Sequence, residues 1–150
     1  MRKTLHMLVL AAMLCIPALA SAQNLNTTKV LRTPPPDEFS VFSSITKYLA
    51  AGDAAALSSW FADNLDVTII SSSRNCSKKQ ARETLSKFFS ANTPRSFQVM
   101  HKASEANKKY LIGLLNAGGE LFQVTIYATS SGGEPYKIQQ LNISRQAAAY

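Results

Sequence analysis

The half of the chain that follows Pro94 is made almost wholly of β-forming segments separated by turn signals, and this pattern leaves few folds open. Ser96–Lys102, Tyr110–Asn116, Glu120–Thr129 and Tyr136–Ser144 are rich in Val, Ile, Thr, Tyr and Phe and succeed one another at hairpin distance. Gly118-Gly119 and Gly132-Gly133 supply paired glycines, which reach the positive φ of a tight turn without a Cβ clash. Four strands so joined make an antiparallel meander. In the third, Phe122, Val124, Ile126 and Ala128 alternate with Gln123, Thr125 and Tyr127, so one face enters a core and the other is more polar. Tyr110–Leu115, by contrast, is apolar on both faces. Such a segment is either a central strand or a surface covered by a second subunit, and a homodimer is therefore expected. Tyr127 and Tyr136 are assigned to the outer face it would use.

The preceding segment reads as helical. Phe39, Phe42, Ile45 and Leu49 recur at helical spacing, with Asp37 placed to cap the start and Gly52 to stop the run. Asp53 caps a second, shorter helix, with Leu57, Trp60 and Phe61 on its apolar face. Val67–Ile70 has strand character, and the serines, Arg74 and Asn75 after it read as a loop. Ser77 with Gln80 three residues on forms a capping box. It opens a third helix that puts Ala81, Leu85, Phe88 and Phe89 on one face and Lys79, Glu83 and Lys87 at pairing distance on another. Three helices, one early strand and a four-stranded meander predict an α+β domain, with helices packed on one face of an antiparallel sheet.

The amino end carries an address. Arg2 and Lys3 precede an apolar run from Leu5 to about Ile16, then Pro17 and the small residues Ala18, Ala20, Ser21 and Ala22. This is the layout of a cleavable signal peptide, with cleavage expected after Ala22, and the run is shorter than the roughly 20 residues that span a bilayer. The expected organisation is a signal peptide over 1–22, a flexible Pro-containing leader over 23–36, one domain over 37–145 and a tail over 146–150. The expected location is the periplasm. Cys15 raises the alternative of a lipoprotein, but Leu14 stands where lipid attachment wants a small residue. No transmembrane segment is expected in the mature chain.

Charge and cysteine content narrow the functions. Taking Arg2 and Lys3 from 16 basic side chains, against 9 acidic ones, leaves a net charge of +5. The cations are scattered and not interleaved with aromatics, which argues against nucleic acid as a partner. Cys76 is the single cysteine left after processing, so no internal disulfide forms, and with no local partner it reads as a structural thiol. His101 is the single mature histidine. One histidine and one distant cysteine make no metal set, and no cofactor is expected.

Several stretches carry a family resemblance: Ser77-Lys78-Lys79-Gln80-Ala81 leading to Phe88-Phe89, Ser96-Phe97-Gln98-Val99-Met100-His101-Lys102, Tyr110-Leu111-Ile112-Gly113, and Lys137-Ile138-Gln139-Gln140-Leu141. With the order of elements, they resemble a bacterial exported family known as domain of unknown function 4783, within the nuclear-transport-factor-2-like (cystatin-like) superfold, over roughly Phe39 to Arg145. The resemblance implies a cone in which helices and a bent sheet enclose a pocket that can be open, filled or used. If Phe97 and Val99 face the cone, strict alternation brings His101 to the same face, so His101, Phe97, Val99 and Trp60 are the candidate pocket residues; none is assigned a catalytic role. Three functions follow in order of expectation. The first is a non-catalytic envelope module holding a small apolar ligand or a protein partner. The second is a homodimeric interaction or structural module. The third is an isomerase- or dehydratase-like enzyme using His101, histidine being the side chain that changes charge near neutral pH.

Overall fold

The computed structural model describes residues 38–147. Helix α1 (Ser40–Ala51) buries Phe42, Ile45 and Leu49, one stripe at i, i+3 and i+7. Gly52 ends it at φ 69°, where its N–H reaches back to the Leu49 and Tyr48 carbonyls. Phe39 is the N-cap and makes no side-chain cap bond, while the expected cap, Asp37, lies outside the described residues. So do the expected signal peptide, cleavage site and leader. The short α2 (Ala54–Ser58) starts where Asp53 Oδ1 accepts from the Ala56 N–H at 2.9 Å. It is briefer than its apolar pattern suggested, because Phe61 already belongs to the first strand.

Strand β1 (Phe61–Ile69) runs into β2 (Ser72–Ser77), and helix α3 (Lys78–Ala91) follows directly. β2 corrects the expected serine loop. Its outward residues are polar and exposed, and only Cys76 is buried, so no hydrophobic alternation announced it. What makes it a strand is its pairing with β1, reinforced by side-chain bonds of 2.8 Å between Thr68 and Ser73 and between Asn75 and Asp66. The capping box of α3 forms as expected: Gln80 N–H donates to Ser77 Oγ and Ser77 N–H to Gln80 Oε1. Caps of this kind are worth about 1 kcal/mol. Lys79, Glu83 and Lys87, expected to pair, make no ion pair within 4 Å; among the described residues that distance is met by Arg145 and Glu120 at 2.8 Å.

The meander then follows: β3 (Pro94–Glu105), β4 (Lys108–Ala117), β5 (Glu120–Thr129) and β6 (Lys137–Arg145), each antiparallel to the next. Gly118 and Gly119, both at positive φ, form the two-residue β4–β5 turn. β6 closes the sheet against β1 in parallel, a pairing between distant segments that local patterns do not reveal. The order is β2-β1-β6-β5-β4-β3. All three helices contribute to a core on one side of this curved, unclosed sheet. Phe61, Leu65, Leu111, Leu115, Phe122, Ile126, Ile138 and Leu141 meet Ile45, Leu49, Leu57 and Leu85, and each of these is at most 1% exposed. Phe88 sets its ring edge-on to Phe122, 5.1 Å between centroids.

Candidate interaction surface on the open face

Which side of the sheet a residue occupies follows from its cross-strand partner, since directly paired residues share a face. Val99 pairs with Gly113 and Phe97 with Leu115, both on the helix-covered side. His101 pairs with Ile112, on the open side. The register shifts between Val99 and His101, so Met100 is an extra residue, a β-bulge that reverses the facing of everything beyond it. The expectation that Phe97, Val99 and His101 share a face is corrected on this point: the alternation breaks at Met100.

The four candidate pocket residues accordingly do not converge. Phe97 is half-buried and lies over Gly113. Val99, 41% exposed, borders a shallow cleft of about 150 Å³ between α1 and the sheet, with Phe39, Phe42 and Lys102. Trp60 packs against the core where α2 meets β1, and its carbonyl accepts from the Ile138 N–H at 2.7 Å. β1 stands four strand positions from β3, about 19 Å at ~4.8 Å per strand. The side chains that close the helix side of the sheet leave these residues no common chamber.

His101 instead heads an aromatic row across the open face. Its ring lies 5.6 Å from that of Tyr110, and Tyr110 stacks on its cross-strand partner Tyr127 at 5.4 Å with an interplanar angle of 14°. Such cross-strand aromatic pairs stabilise a sheet by about 0.5–1 kcal/mol each. Tyr136, expected on the same face, lies elsewhere: the Lys109 ammonium sits 4.8 Å from its ring. Lys109, paired with the buried Ala128, also donates to the Glu38 carbonyl and stands over Phe39, so an almost fully buried cation is held by aromatic faces and a backbone oxygen.

Around the row, register places a patch of fifteen neighbouring positions of β3–β6 on the open face. They are Ser96, Gln98, His101 and Ala103 on β3 and Tyr110, Ile112, Leu114 and Asn116 on β4, together with Leu121, Gln123, Thr125 and Tyr127 on β5 and Gln140, Asn142 and Ser144 on β6. None is Lys, Arg, Asp or Glu. Charges border this patch: Asp66 on β1 pairs with Gln140, Lys137 pairs with Thr129, and Glu105 faces Lys108 beside a cleft of about 240 Å³ that Tyr110 and Tyr127 also line. Leu121 and Tyr127 are 48% and 42% exposed. The adjoining edge strand is protected against further pairing by Pro94, by shifts of register at two places and by Arg95 and Lys102. The face, not the edge, is the surface open to a partner.

Residues 42–144 match the family described as a domain of unknown function, DUF4783. The chain belongs to that family. Comparison with curated proteins finds no match. Among solved structures, a DUF4783 protein from Bacteroides uniformis is similar at 24% identity and a TM-score of 0.67, over 71% of this chain and 97% of that one. A candidate dehydratase of the NTF2-like family from Streptomyces avermitilis is similar at 11% identity and a TM-score of 0.53, over 71% of this chain and 92% of that one. A candidate calcium/calmodulin-dependent protein kinase type II association domain from Thiobacillus denitrificans is similar at 10% identity and a TM-score of 0.58, over 77% of this chain and all of that one. These likenesses establish an NTF2-like α+β fold for this DUF4783 domain. The names attached to the last two describe those proteins, and a shared fold does not carry a function across.

Proposed function

We propose that this DUF4783 domain is a non-catalytic interaction module of the cell envelope, exported by its amino-terminal leader, and that the partner on its open sheet face is a second copy of the chain. The uncharged face carries the reading. A domain with a net positive charge repels its own copy except where the contact surface is neutral, and here fifteen neighbouring positions are neutral, with tyrosine, isoleucine and leucine at their centre. Four strands and about eight residues of length give a flat footprint of ~500 Å². That is the low end of what a specific interface needs from each partner, which fits a dimer of micromolar affinity.

The small-ligand form of the reading is weaker, because side chains fill the space between helices and sheet. An acid–base role for His101 would need a carboxylate beside it in a closed site, and its ring meets Tyr110 on an open face instead. Sedimentation equilibrium between 1 and 500 µM tests the proposal. Reversible dimerisation is expected, with at least a tenfold loss of affinity in Tyr127→Lys, which sets a cation within the neutral face. A wild-type chain that stays monomeric throughout, or a dimer indifferent to Tyr127→Lys and Ile112→Lys alike, would refute it.

A further inference from the structure

Between residues 38 and 147 the chain has 12 basic and 8 acidic side chains. Five of the basic ones, Arg74, Lys78, Lys79, Arg82 and Lys87, fall within 74–87, and Glu83 is the one acid there. Outside that segment seven cations face seven anions. The whole net charge of the described domain therefore resides on α3 and the strand before it, which corrects the expectation that the cations are scattered.

The fold gathers these cations on one side. Arg74 pairs with Val67 and so lies on the helix-covered side of β2, where it borders a cleft with Thr84 and Lys87. Lys78, Lys79 and Arg82 line a second cleft on the other flank of α3, above Ser58. Ser58 Oγ donates to the Ala55 carbonyl at 2.6 Å and forms floor only. Among the described residues none of the five cations has a carboxylate within 4 Å; nearby Asp66 lies on the opposite face, bonded to Asn75. Lys78 and Lys79 moreover occupy the first turn of α3, where the helix dipole disfavours cations, and no acid offsets them there. A helix so well capped carries this unfavourable charge for no gain in its own stability.

We infer that the α3 side of the domain docks on an anionic phospholipid surface. The cations of the helix, from Lys78 to Lys87, extend over about 14 Å and lie on both flanks. That is a plane of charge suited to a plane of headgroups, with no single deep pocket for one small anion. The aromatic residues of α3, Phe88 and Phe89, are both buried, which leaves no stacking platform for nucleic acid bases. This inference rests on a different side of the sheet from the self-association proposed above.

The test is co-sedimentation of the full chain with vesicles of phosphatidylcholine, with or without one quarter phosphatidylglycerol. Each cation at an anionic bilayer contributes about fivefold to partitioning, so the triple variant K79Q/R82Q/K87Q, altered at three exposed positions, should bind the anionic vesicles about 100-fold more weakly. The control K47Q/R95Q/K108Q loses the same net charge from exposed sites elsewhere and should lose less than tenfold. The excess binding to anionic over neutral vesicles should also vanish in 0.5 M salt. Any contribution from the apolar stretch 5–16 is common to all variants and insensitive to salt, and so cancels. Equal losses in the two triple variants, an excess on anionic vesicles that salt does not remove, equal binding to neutral vesicles, or tighter binding to a single-stranded oligonucleotide than to anionic vesicles would each overturn the inference.

Discussion

Gly113 on β4 offers a sharp test of how the candidate pocket came to be filled. A Cβ built there would fall 2.3 Å from Phe97 Cζ, 2.7 Å from Phe97 Cε1 and 2.8 Å from the Gln98 carbonyl oxygen. Carbon atoms pack at about 3.5–4.0 Å, so in Gly113→Ala the ring must retreat by more than 1 Å. Overpacking of this kind costs about 1–3 kcal/mol, from which the gain of about 0.5–1 kcal/mol on removing a strand glycine is subtracted. The expected net loss is about 1–2 kcal/mol, or a fall in Tm of about 4–8 °C for a domain of this size. Phe97→Ala alone, at a half-buried site, should cost about 2 kcal/mol, below the range for fully buried aromatics. The double variant decides the matter. With the ring gone, the 2.8 Å contact to the Gln98 carbonyl remains, so Gly113→Ala should still destabilise, but by about 0.5–1 kcal/mol less than in the wild-type background, a coupling read by urea unfolding followed by circular dichroism. If Gly113→Ala costs the same in both backgrounds, Phe97 is not the lid on Gly113, and the argument that its ring serves the core and no pocket falls with it.

Ile70, at φ 59° between β1 and β2, is a β-branched residue in the left-handed region with a 40% exposed side chain. Ile70→Asn should raise stability by about 1 kcal/mol in the same assay, and a loss would show that its side chain makes contacts worth more than the strain. Burial pushes the Cys76 thiol above its reference value of 9.0, Arg74 partly offsetting this and Asp66 adding to it. The native state thus keeps the thiol proton when the unfolded chain has lost it; the contribution to stability is complete below the unfolded value and is lost as pH rises through the native one. Cys76→Ala should therefore flatten the decline in stability above about pH 9, and a thiol reagent at pH 8 should label Cys76 at the rate of unfolding, not in the native state.

What could be read in the sequence was whatever local physics decides alone. Ser77 and Gln80 satisfy each other's neighbourhood, Gly118-Gly119 permits one turn geometry, and alternation from Phe122 to Ala128 needs no partner to be seen. What escaped was decided by pairing. β2 has almost no apolar face of its own and exists because β1 lies beside it, and the parallel contact of β1 with β6 joins residues some seventy positions apart. The candidate site failed for the same reason. Val99-Met100-His101 is uniformly compatible with a strand, and only the register of β4 shows that Met100 is surplus.

That one bulge changes what the histidine can do. Facing the helices, His101 would join Val99 and Lys102 at the cleft beside α1, where a pocket role would be open to it. Facing outward, it joins Tyr110 and Tyr127 in an aromatic row on a neutral surface, where its ring contributes contact area. The helix side is meanwhile closed by Phe97 over Gly113 and by a core with no polar set, so no second residue is positioned to restore a cavity function. The uncharged patch of the open face and α3 lie on opposite sides of one sheet, so the two proposed contacts, with a second copy and with an anionic surface, compete for no residue. This arrangement of surfaces is the physical ground on which the proposed reading as an interaction module rests.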